Sequence, residues 1–512
     1  MREPAWAFGA AATNLYNTFG SNQYLWGNTP AVDILHLERN EGSAYGEDIP
    51  VLFAASGDLR NVMKTIQQLP STFTHKLEIT INDVDLDVTA RNAILLLFAC
   101  TSHINDGNGE DTDHAGFFDT AETMIHLWYS AFLPTSLLSR VQAKVKPLIV
   151  DLCEKIVTKK PGTVLGKTWQ FSHNTTIRVV LTKEQWFGLK SYLDVPAGLD
   201  FDQACKIRSA SMLAPERADY RDRWYYKDAT PFMRVAKQRF REDGLLLPFG
   251  HPRTGFSTPN PTFFQGPGVW PFDDKADPMD GWSIDEVSRT PHIASEDRYG
   301  RLFNYLRKVF EKFLRRLVTG NLHFQLHNVD ARELPKHLVA EKYARIDVSN
   351  LCDNCWVGTR QTLVRLSCLL QTQKQNQHAA VIAIYLNAIG GMIKRSNAQD
   401  QMPNSELLKK YLGWKQVLPL RRLDGAEIYR IWDARNIVVD VDKFFNRYMS
   451  VMDFDGISAD SGLVIKEANT IVEKWPTRLK LKPEDPGAVQ EFDLLLASGF
   501  SSLERFTEWK RK

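Results

Sequence analysis

Acidic and polar side chains follow four strand-like runs of the chain, each at the point where the run ends. The four ends are Ala55-Ser56-Gly57-Asp58, Asn82-Asp83-Val84-Asp85, Val329-Asp330-Ala331-Arg332 and Asp347-Val348-Ser349-Asn350. In a doubly wound sheet, ligands bind beyond the carboxyl ends of the strands. A glycine turn followed by acidic residues after the second and third strands is the order that an S-adenosylmethionine pocket needs.

Each residue of this predicted pocket has a distinct role. Gly57 and Asp58 are expected near the methionine part of the ligand, where a glycine turn lets the backbone approach closely. Asp83 or Asp85 is expected to accept hydrogen bonds from the ribose hydroxyls. Asp330 is expected to bind the adenine amino group.

The opening of the pocket is assigned to Ser349 and Asn350, with residues 244–283 as a lid. That segment is rich in Gly, Pro and Phe, and loops of this length are uncommon unless they are functional. The catalytic residue stays unknown, because methyl transfer can proceed by proximity alone. Asn260 superficially resembles an Asn-Pro motif that orients amino groups for methylation, but its place in the chain favours a rigid turn.

The first turn also has a purely structural interpretation. Gly57 then only turns the chain between a strand and a helix, and Asp58 caps that helix. A Cβ at Ala55 would crowd the backbone approach that a ligand needs. Two hypotheses therefore stay open: a methyltransferase-like protein that binds S-adenosylmethionine, and a non-catalytic protein on a degenerate version of that fold.

A regular alternation of strands and helices positions these residues. Residues 49–55 and 76–83 are strand-like, and each precedes a helical segment, at 58–69 and 86–100. Such β-α-β-α units form parallel sheets with right-handed crossovers. The sequence therefore predicts an α/β fold, a Rossmann-like and mostly parallel sheet interrupted by a large, mainly helical insertion.

The predicted organisation has five parts. They are an N-terminal approach segment (1–47), a first Rossmann-like part (48–100), a mainly helical insertion (101–320), a second Rossmann-like part (321–400) and a C-terminal α/β extension (401–512). A polar, glycine-rich loop at 101–116 marks the first boundary. Within the extension, residues 426–433 and 436–442 are strand-like.

Composition limits the classes of partner. The 512 residues are 43% hydrophobic and 24% charged, which is typical of a soluble globular chain, and the net charge of +2 makes nucleic-acid binding an unlikely primary function. The helix at 301–320 nevertheless has a basic face, and RNA binding through it is a third hypothesis beside a solvated helix face. Its residues are Arg301, Arg307, Lys308, Lys312, Arg315 and Arg316.

Cysteine usage and hydropathy favour a reducing compartment. Six scattered cysteines do not form a disulfide framework, and no signal peptide or bilayer-spanning run is recognised. We therefore expect a reducing interior compartment, cytosol or nucleus, and no membrane association. Cys352 and Cys355 form a lone Cys-x-x-Cys; His323 and His327 could complete a zinc site, but they lie on a predicted strand, so no metal is predicted.

Several segments resemble a fungal family of unknown function whose members are often joined to a MYND zinc finger. The segments are GNTPA, VLFAASGDLRNVMKTI and LEITINDVDLDVTARNAILLL, and the same region is similar to the N-terminal part of dynein axonemal assembly factor 3. The motif positions that match are Gly57, Asp58, Arg60, Asn82, Asp83, Ala90, Arg91 and Asn92.

The segment FQLHNVDARELP looks like the third-strand motif of class I methyltransferases. Together these resemblances imply a Rossmann-like, methyltransferase-like fold. They also imply a cytoplasmic assembly or scaffold factor with a protein partner, of the kind that acts in dynein preassembly. Its enzymatic activity is uncertain.

Overall fold

The computed structural model describes residues 18–102, 114–172, 174–226, 231–396, 405–412 and 426–512. The strands are β1 (Ile49–Phe53), β2 (Lys76–Asn82), β3 (Phe132–Leu133), β4 (Val164–Gln170), β5 (Thr175–Thr182), β6 (Thr258–Pro259), β7 (Asn321–His327), β8 (Arg345–Asp347), β9 (Ala380–Tyr385), β10 (Leu463–Ile465) and β11 (Arg505–Arg511).

The α-helices complete these elements. They are α1 (Arg60–Gln68), α2 (Leu86–Thr101), α3 (His114–Tyr129), α4 (Thr135–Ile156), α5 (Lys183–Ser191), α6 (Phe201–Met212), α7 (Ala218–Tyr226), α8 (Pro231–Asp243), α9 (Ile284–Ser288), α10 (Arg298–Thr319), α11 (Thr359–Leu366), α12 (Ala388–Arg395), α13 (Ser405–Leu412), α14 (Ala426–Val438), α15 (Val441–Val451), α16 (Phe454–Ser461) and α17 (Ala488–Leu496).

Nine of the strands form one sheet in the order β10-β11-β9-β8-β1-β2-β7-β5-β4. The neighbours from β9 to β5 run parallel, whereas β4 and β11 are antiparallel to the strands they join. The predicted α/β class with a mostly parallel sheet is therefore confirmed. The stretch between 101 and 320 supplies two of the sheet strands, β4 and β5, in addition to its helices.

Two of the parallel strands, β1 and β9, are apolar along their whole length. All five residues of β1 and all six residues of β9 are buried, as expected of parallel strands that are covered on both faces. The chain passes from β1 to β2 and β7 on one side, and then returns to place β8 on the other side of β1. The loops after β1 and β8 therefore meet at a reversal in strand order, which is where open α/β sheets bind ligands.

The Gly-, Pro- and Phe-rich segment at 244–283 belongs to the core. Phe263, Trp270 and Phe272 are buried in the main apolar cluster, and the Trp26 ring stacks on Phe272 with ring centroids 3.9 Å apart. The prediction of a lid in this segment is wrong as far as these side chains are concerned, because they pack against the rest of the protein. In the part of the chain that the structure describes, no helix has the length and apolarity needed to cross a membrane.

The strand-like segments at 426–433 and 436–442 are helical instead. Ala434, Ile437 and Val438 are buried along α14, a spacing of three and four residues that places them on one helix face. Because this face packs against the rest of the protein, the segment adopts the 3.6-residue period of a helix and not the two-residue period of a strand. The two edge strands β4 and β10, and β11 next to β10, were not predicted. The strand β4 is mostly exposed, so it lacks the apolar run that marks a central strand.

Two buried histidines are expected to lower the free energy of unfolding in acid. Burial lowers the pKa of His126 to about 3, and burial together with the neighbouring His337 lowers the pKa of His327 to about 4. The unfolded chain binds these protons below its ordinary histidine pKa, near 6.5, whereas the folded protein does not. Stability from this source is complete above that value and falls as the pH approaches the folded pKa.

We expect each histidine to remove roughly 2 kcal/mol of folding free energy by about pH 4.5. Urea denaturation between neutral pH and about pH 4.5 measures it. The His327→Gln variant should show a flatter pH dependence than the wild type, while the exposed His75→Gln control should not. Identical pH slopes in the wild type and His327→Gln would contradict the assignment.

Candidate functional site at the carboxyl edge of the sheet

The carboxyl edge, defined as the loops that follow β1, β2, β7, β8 and β9, brings several predicted residues together. Gly57, with a positive φ of 55°, donates its backbone N–H to Asp83 Oδ2 at 2.9 Å. Asp83 Oδ1 accepts the N–H of Asp85 at 3.0 Å. Burial raises the pKa of Asp83, which these backbone amides partly oppose.

Asp85 is the N-cap of α2. Its Oδ1 accepts the N–H of Asp87 at 2.8 Å, a bond that satisfies a free amide of the first turn. Burial raises the pKa of Asp85. Gln23 reaches the same helix start and donates to Asp87 Oδ2 at 2.9 Å. The acidic residues after β2 therefore hold the local backbone in place.

Asp58 is buried at the start of α1, with 4% of its surface exposed. Its Oδ1 accepts the Arg60 Nη1 at 2.6 Å, and its Oδ2 accepts the backbone N–H of Gly27 at 2.7 Å. A negative charge near a helix N-terminus is favourable, because the first amides of the helix lack partners. The protein's own carboxylate thus lies where a Rossmann-type fold places an anionic ligand.

A segment of the N-terminal region, residues 27–34, runs along α1 and is called the strap. Val32 donates its N–H to Asn61 Oδ1 at 3.1 Å, and Arg60 Nε donates to the carbonyl of Thr29 at 2.9 Å. A Cβ built on Gly27 would overlap the Arg60 side chain, so a larger residue there would require that side chain to move. On its other side the strap is held by the N–H of Ala31, which donates to the Gly281 carbonyl at 2.9 Å.

Asp330 lies further along the edge and is paired with a neighbour in sequence. Arg332 binds both carboxylate oxygens, with Nε 3.0 Å from Oδ1 and Nη2 2.5 Å from Oδ2. This guanidinium lowers the pKa of Asp330, and about a third of the Asp330 side chain is exposed. Asp330 also begins a short 3-10 helix by accepting the Arg332 N–H at 2.8 Å.

Ser349 and Asn350 lie in the loop after β8 and are partly buried. Ser349 adopts a left-handed backbone conformation with a φ of 49°, and its N–H donates to Asp347 Oδ1 at 2.9 Å. Its carbonyl accepts the N–H of Ile384 at 2.9 Å. These bonds fix the loop against β9.

Two further polar residues, Asn82 and Asn92, connect the loops of the carboxyl edge. Asn82 Nδ2 donates to the carbonyls of Ala54 and Val329, each at 2.9 Å, and so joins the ends of β1 and β7. Asn92 Nδ2 donates to the carbonyl of Gly57 at 2.8 Å. The sequence placed Asn82 at the end of the second strand, whereas Asn92 was named only through the family resemblance.

Arg91 has a similar structural role. It is buried, donates Nη2 to the carbonyl of Trp128 at 2.8 Å and lies over the Phe263 ring at 4.2 Å from its centroid. Burial lowers its pKa to about 9. Asn260 holds the same region, since its Nδ2 donates to the carbonyls of Leu127 and Ser130 at 3.0 and 2.8 Å.

Ligand binding through the residues of the predicted S-adenosylmethionine pocket stays a prediction. In the structure, Gly57, Asp58 and Asp330 each have a partner within the protein. The amide of Gly57 binds Asp83, the Asp58 carboxylate binds Arg60 and the strap, and Asp330 binds Arg332. The sequence could not indicate this, because the decisive partner of Asp58, Gly27, lies outside the strand-helix pattern.

The cysteine pair and the histidines of the predicted strand have different hydrogen-bond partners. Cys352 is buried, whereas Cys355 is exposed and accepts the Asn387 Nδ2 at 3.4 Å. His323 Nδ1 lies 2.9 Å from the Thr176 hydroxyl. Among the described residues, no group of three or more His, Cys, Asp and Glu side chains could hold a metal ion.

The basic face of α10 is partly covered, with Lys308 and Lys312 exposed. Arg307 Nη1 binds Glu122 at 3.1 Å, and the Arg315 guanidinium lies over Phe117 at 4.9 Å from the ring centroid. Arg316 donates to the Leu69 carbonyl. These contacts leave less basic surface for phosphates than the sequence pattern suggested.

Aromatic and aliphatic side chains are exposed at the carboxyl edge. Trp356 and Tyr24 are 49% and 38% exposed and meet in an edge-to-face contact with centroids 6.0 Å apart. Val84, between Asp83 and Asp85, is 69% exposed. Exposed Trp and Tyr of this kind are typical of protein-binding surfaces.

Residues 25–133 match the model of a domain of unknown function, DUF4470. The matched region contains the strap and the strands and helices from β1 to α3, and therefore Asp58, Asp83, Asn82 and Asn92. The resemblance to a family of unknown function is confirmed to this extent. No curated protein and no solved structure shows a significant match to the chain.

Proposed function

We propose that this protein is a non-catalytic, cytoplasmic scaffold or assembly factor built on a methyltransferase-like fold. The observation that carries the proposal is the buried Asp58 carboxylate at the start of α1, which is held by Arg60 and by the N–H of Gly27. An anionic ligand part at this position would meet a carboxylate instead of free helix amides. The strap would also have to leave its contacts with α1.

The strand order supports a Rossmann-like origin. Along the sheet, β7, β2, β1, β8, β9 and β10 take the places of the doubly wound order 3-2-1-4-5-6. The antiparallel strand β11 stands between the fifth and sixth places, as in class I methyltransferases. Because a fold does not imply an activity, this order supports the fold relationship and not catalysis.

The exposed side chains at the carboxyl edge support a protein partner. Trp356 and Tyr24 offer large contact area with little rotamer entropy to lose. The resemblance to a dynein preassembly factor points to the same class of function. The partner is proposed to be a protein that contacts the carboxyl edge through these rings.

A second candidate function, S-adenosylmethionine binding, is favoured by one observation. Each carboxylate oxygen of Asp83 accepts one backbone amide in the bonds described above and has a second lone pair, and the residue is only partly buried. Ribose hydroxyls could be accepted there if the neighbouring loops moved.

Calorimetric titration of the full chain with S-adenosylmethionine and S-adenosylhomocysteine decides between the two. We expect no saturable heat and no thermal stabilisation at about 1 mM ligand. Saturable binding that is lost in Asp83→Ala and kept in the exposed Asp151→Ala control would overturn the scaffold proposal.

The scaffold hypothesis also predicts that a protein partner binds through Trp356. Proteins that co-purify with the full chain from its own cells should be depleted about tenfold in Trp356→Ala. They should be retained in Phe187→Ala, a change of a similarly exposed aromatic residue on α5. Equal recovery with both variants would place the partner surface elsewhere.

A further inference from the structure

We propose that the outer side of β4 binds an acidic, extended segment of a partner protein, which adds to the sheet as a further strand. β4 is the last strand of the nine-stranded sheet and pairs with β5. This surface, called the β4 edge, lies at the lateral end of the sheet, whereas the carboxyl edge lies at the ends of its strands. The proposal is therefore independent of the partner proposed to contact Trp356.

Backbone groups of β4 point outwards in a regular row. The Lys183 N–H donates to the Thr163 carbonyl at 2.9 Å just before β4. The Phe171 N–H donates to the Thr175 carbonyl at 3.0 Å just after it. In an antiparallel pair, residues that bond to the partner strand alternate with residues whose backbone groups point away from it. The register therefore directs away from β5 the N–H and C=O groups of Val164, Gly166 and Thr168.

These outward groups have no hydrogen-bond partner in the part of the chain that the structure describes. Val164, Gly166 and Thr168 are all exposed. An exposed row of alternating donors and acceptors is what an extended peptide pairs with when it adds a strand to a sheet. A peptide main chain supplies the complementary row, whereas a nucleic-acid backbone presents phosphates. The β4 edge therefore favours a peptide.

The surroundings of the β4 edge are strongly basic. Residues 157–191, from the end of α4 to the end of α5, contain six basic residues and one acidic residue, which gives a formal charge of +5. The whole chain has a charge of only +2, so the rest of the protein is net acidic. The basic residues are Lys159, Lys160, Lys167, Arg178, Lys183 and Lys190. Charge complementarity at this edge selects an acidic segment.

The nearby carboxylates are used elsewhere. Glu184, the acidic residue of this segment, accepts the Gly162 N–H at 3.1 Å from each of its oxygens. Asp151 on α4 is bonded to Lys155 at 2.7 Å. Within the described ranges, none of the six basic residues forms an ion pair with a carboxylate of the protein. Carboxylates of a partner segment would therefore meet uncompensated cations.

Arg178 is placed to contact the added strand. It is exposed on β5 opposite Thr168, and its Nη1 donates to the Thr168 hydroxyl, a neutral acceptor, at 3.2 Å. A Cβ built on Gly166 would lie 2.6 Å from Arg178 Nη2, so the guanidinium lies beside this glycine, over β4. Side chains that face each other on adjacent strands are roughly 5 Å apart. A glutamate opposite Gly166 on the added strand can therefore reach the guanidinium.

A second copy of the chain fits the β4 edge less well than an acidic partner. Two β4 strands paired about a twofold axis would place identical basic segments against each other. Like charges that face each other across strands are destabilising. The occupant is therefore a different protein, with acidic side chains on an extended segment.

Fluorescence anisotropy of a labelled peptide of about ten residues, with alternating glutamate and valine, tests the proposal on the full chain. We expect saturable binding with a Kd below about 100 μM that weakens as the salt concentration rises. Two peptides of equal length should bind at least about tenfold more weakly. One alternates lysine and valine and has the opposite charge. The other alternates glutamate and proline and lacks half of the backbone N–H groups.

The Thr168→Pro variant tests the backbone row. It removes an outward N–H and no bond to β5, and proline is accepted on edge strands in this orientation. It should weaken binding of the glutamate–valine peptide at least about tenfold. The matched control Thr168→Val keeps the N–H and should bind as the wild type does. Far-UV circular dichroism and urea denaturation check that both variants fold.

The Arg178→Gln variant tests the charge separately and keeps the strand intact. It should weaken binding of the same peptide at least about threefold. Its control is Lys308→Gln/Lys312→Gln, two exposed lysines of α10, which should bind as the wild type does. Trp356→Ala should also keep peptide binding, so a failure at the β4 edge is distinguishable from a failure of the carboxyl-edge proposal.

Four results would overturn the proposal. The first is the absence of saturable binding at about 1 mM peptide. The second is equal affinity of the wild type and a folded Thr168→Pro variant. The third is tighter binding of an oligouridine of about ten nucleotides than of the peptide, which would make the edge a nucleic-acid surface. The fourth is a dimer of the chain that Thr168→Pro dissociates, which would make a second copy the occupant.

Discussion

Replacing Asp58 with alanine should lower the free energy of unfolding by roughly 3 to 5 kcal/mol. The change leaves the Arg60 guanidinium buried without its carboxylate and removes the acceptor of the Gly27 N–H. An uncompensated buried charge costs more than the ion pair itself contributes. Urea denaturation of the full chain, followed by circular dichroism, measures the loss.

The control for this prediction is the removal of both partners. In Asp58→Ala/Arg60→Met the buried charge disappears, so the double variant should recover part of the loss. The exposed Asp151→Ala variant should unfold as the wild type does. If Asp58→Ala kept wild-type stability, the contacts of Asp58 with Arg60 and Gly27 would not stabilise the fold. The proposal that this carboxylate permanently occupies the position of an anionic ligand would then be wrong.

The second large effect is expected at the buried pair of Glu41 and Arg345. Glu41→Ala should destabilise the protein by roughly 3 to 5 kcal/mol. The side chains are 1% and 0% exposed, with Arg345 Nη2 2.8 Å from Glu41 Oε2. Glu41 Oε1 also accepts the Asn376 Nδ2 at 3.1 Å, so the loss of Glu41 removes an acceptor from two buried groups and leaves the Arg345 charge uncompensated.

Urea denaturation again provides the measurement, with the double variant Glu41→Leu/Arg345→Met as the control. Replacing a buried ion pair with apolar residues of similar volume is often neutral or stabilising. We therefore expect the double variant to be more stable than Glu41→Ala. If the loss of stability in the double variant equalled the sum of the losses in Glu41→Leu and Arg345→Met alone, the two side chains would not be energetically coupled.

Local sequence patterns predicted the elements that position the carboxyl edge. The strands β1 and β2 and the helices α1 and α2 lie where apolar runs and helical periodicity placed them. A capping box of the kind that Thr182 and Gln185 predict by their spacing precedes α5: the Gln185 N–H donates to Thr182 Oγ1 at 3.3 Å, and the Thr182 N–H donates to Gln185 Oε1 at 2.8 Å. Such signals need only neighbours in sequence.

The sequence thus determined an α/β chain, its central strands and the cluster of acidic residues at their ends. Tertiary structure alone decided what those residues contact. Gly27 reaches Asp58 from 31 positions away, and the Asn82 side chain joins Val329 across 247 positions. The same carboxylates could face a ligand or the protein itself, because residue type and spacing specify where a side chain lies on its element but not which distant backbone packs against it.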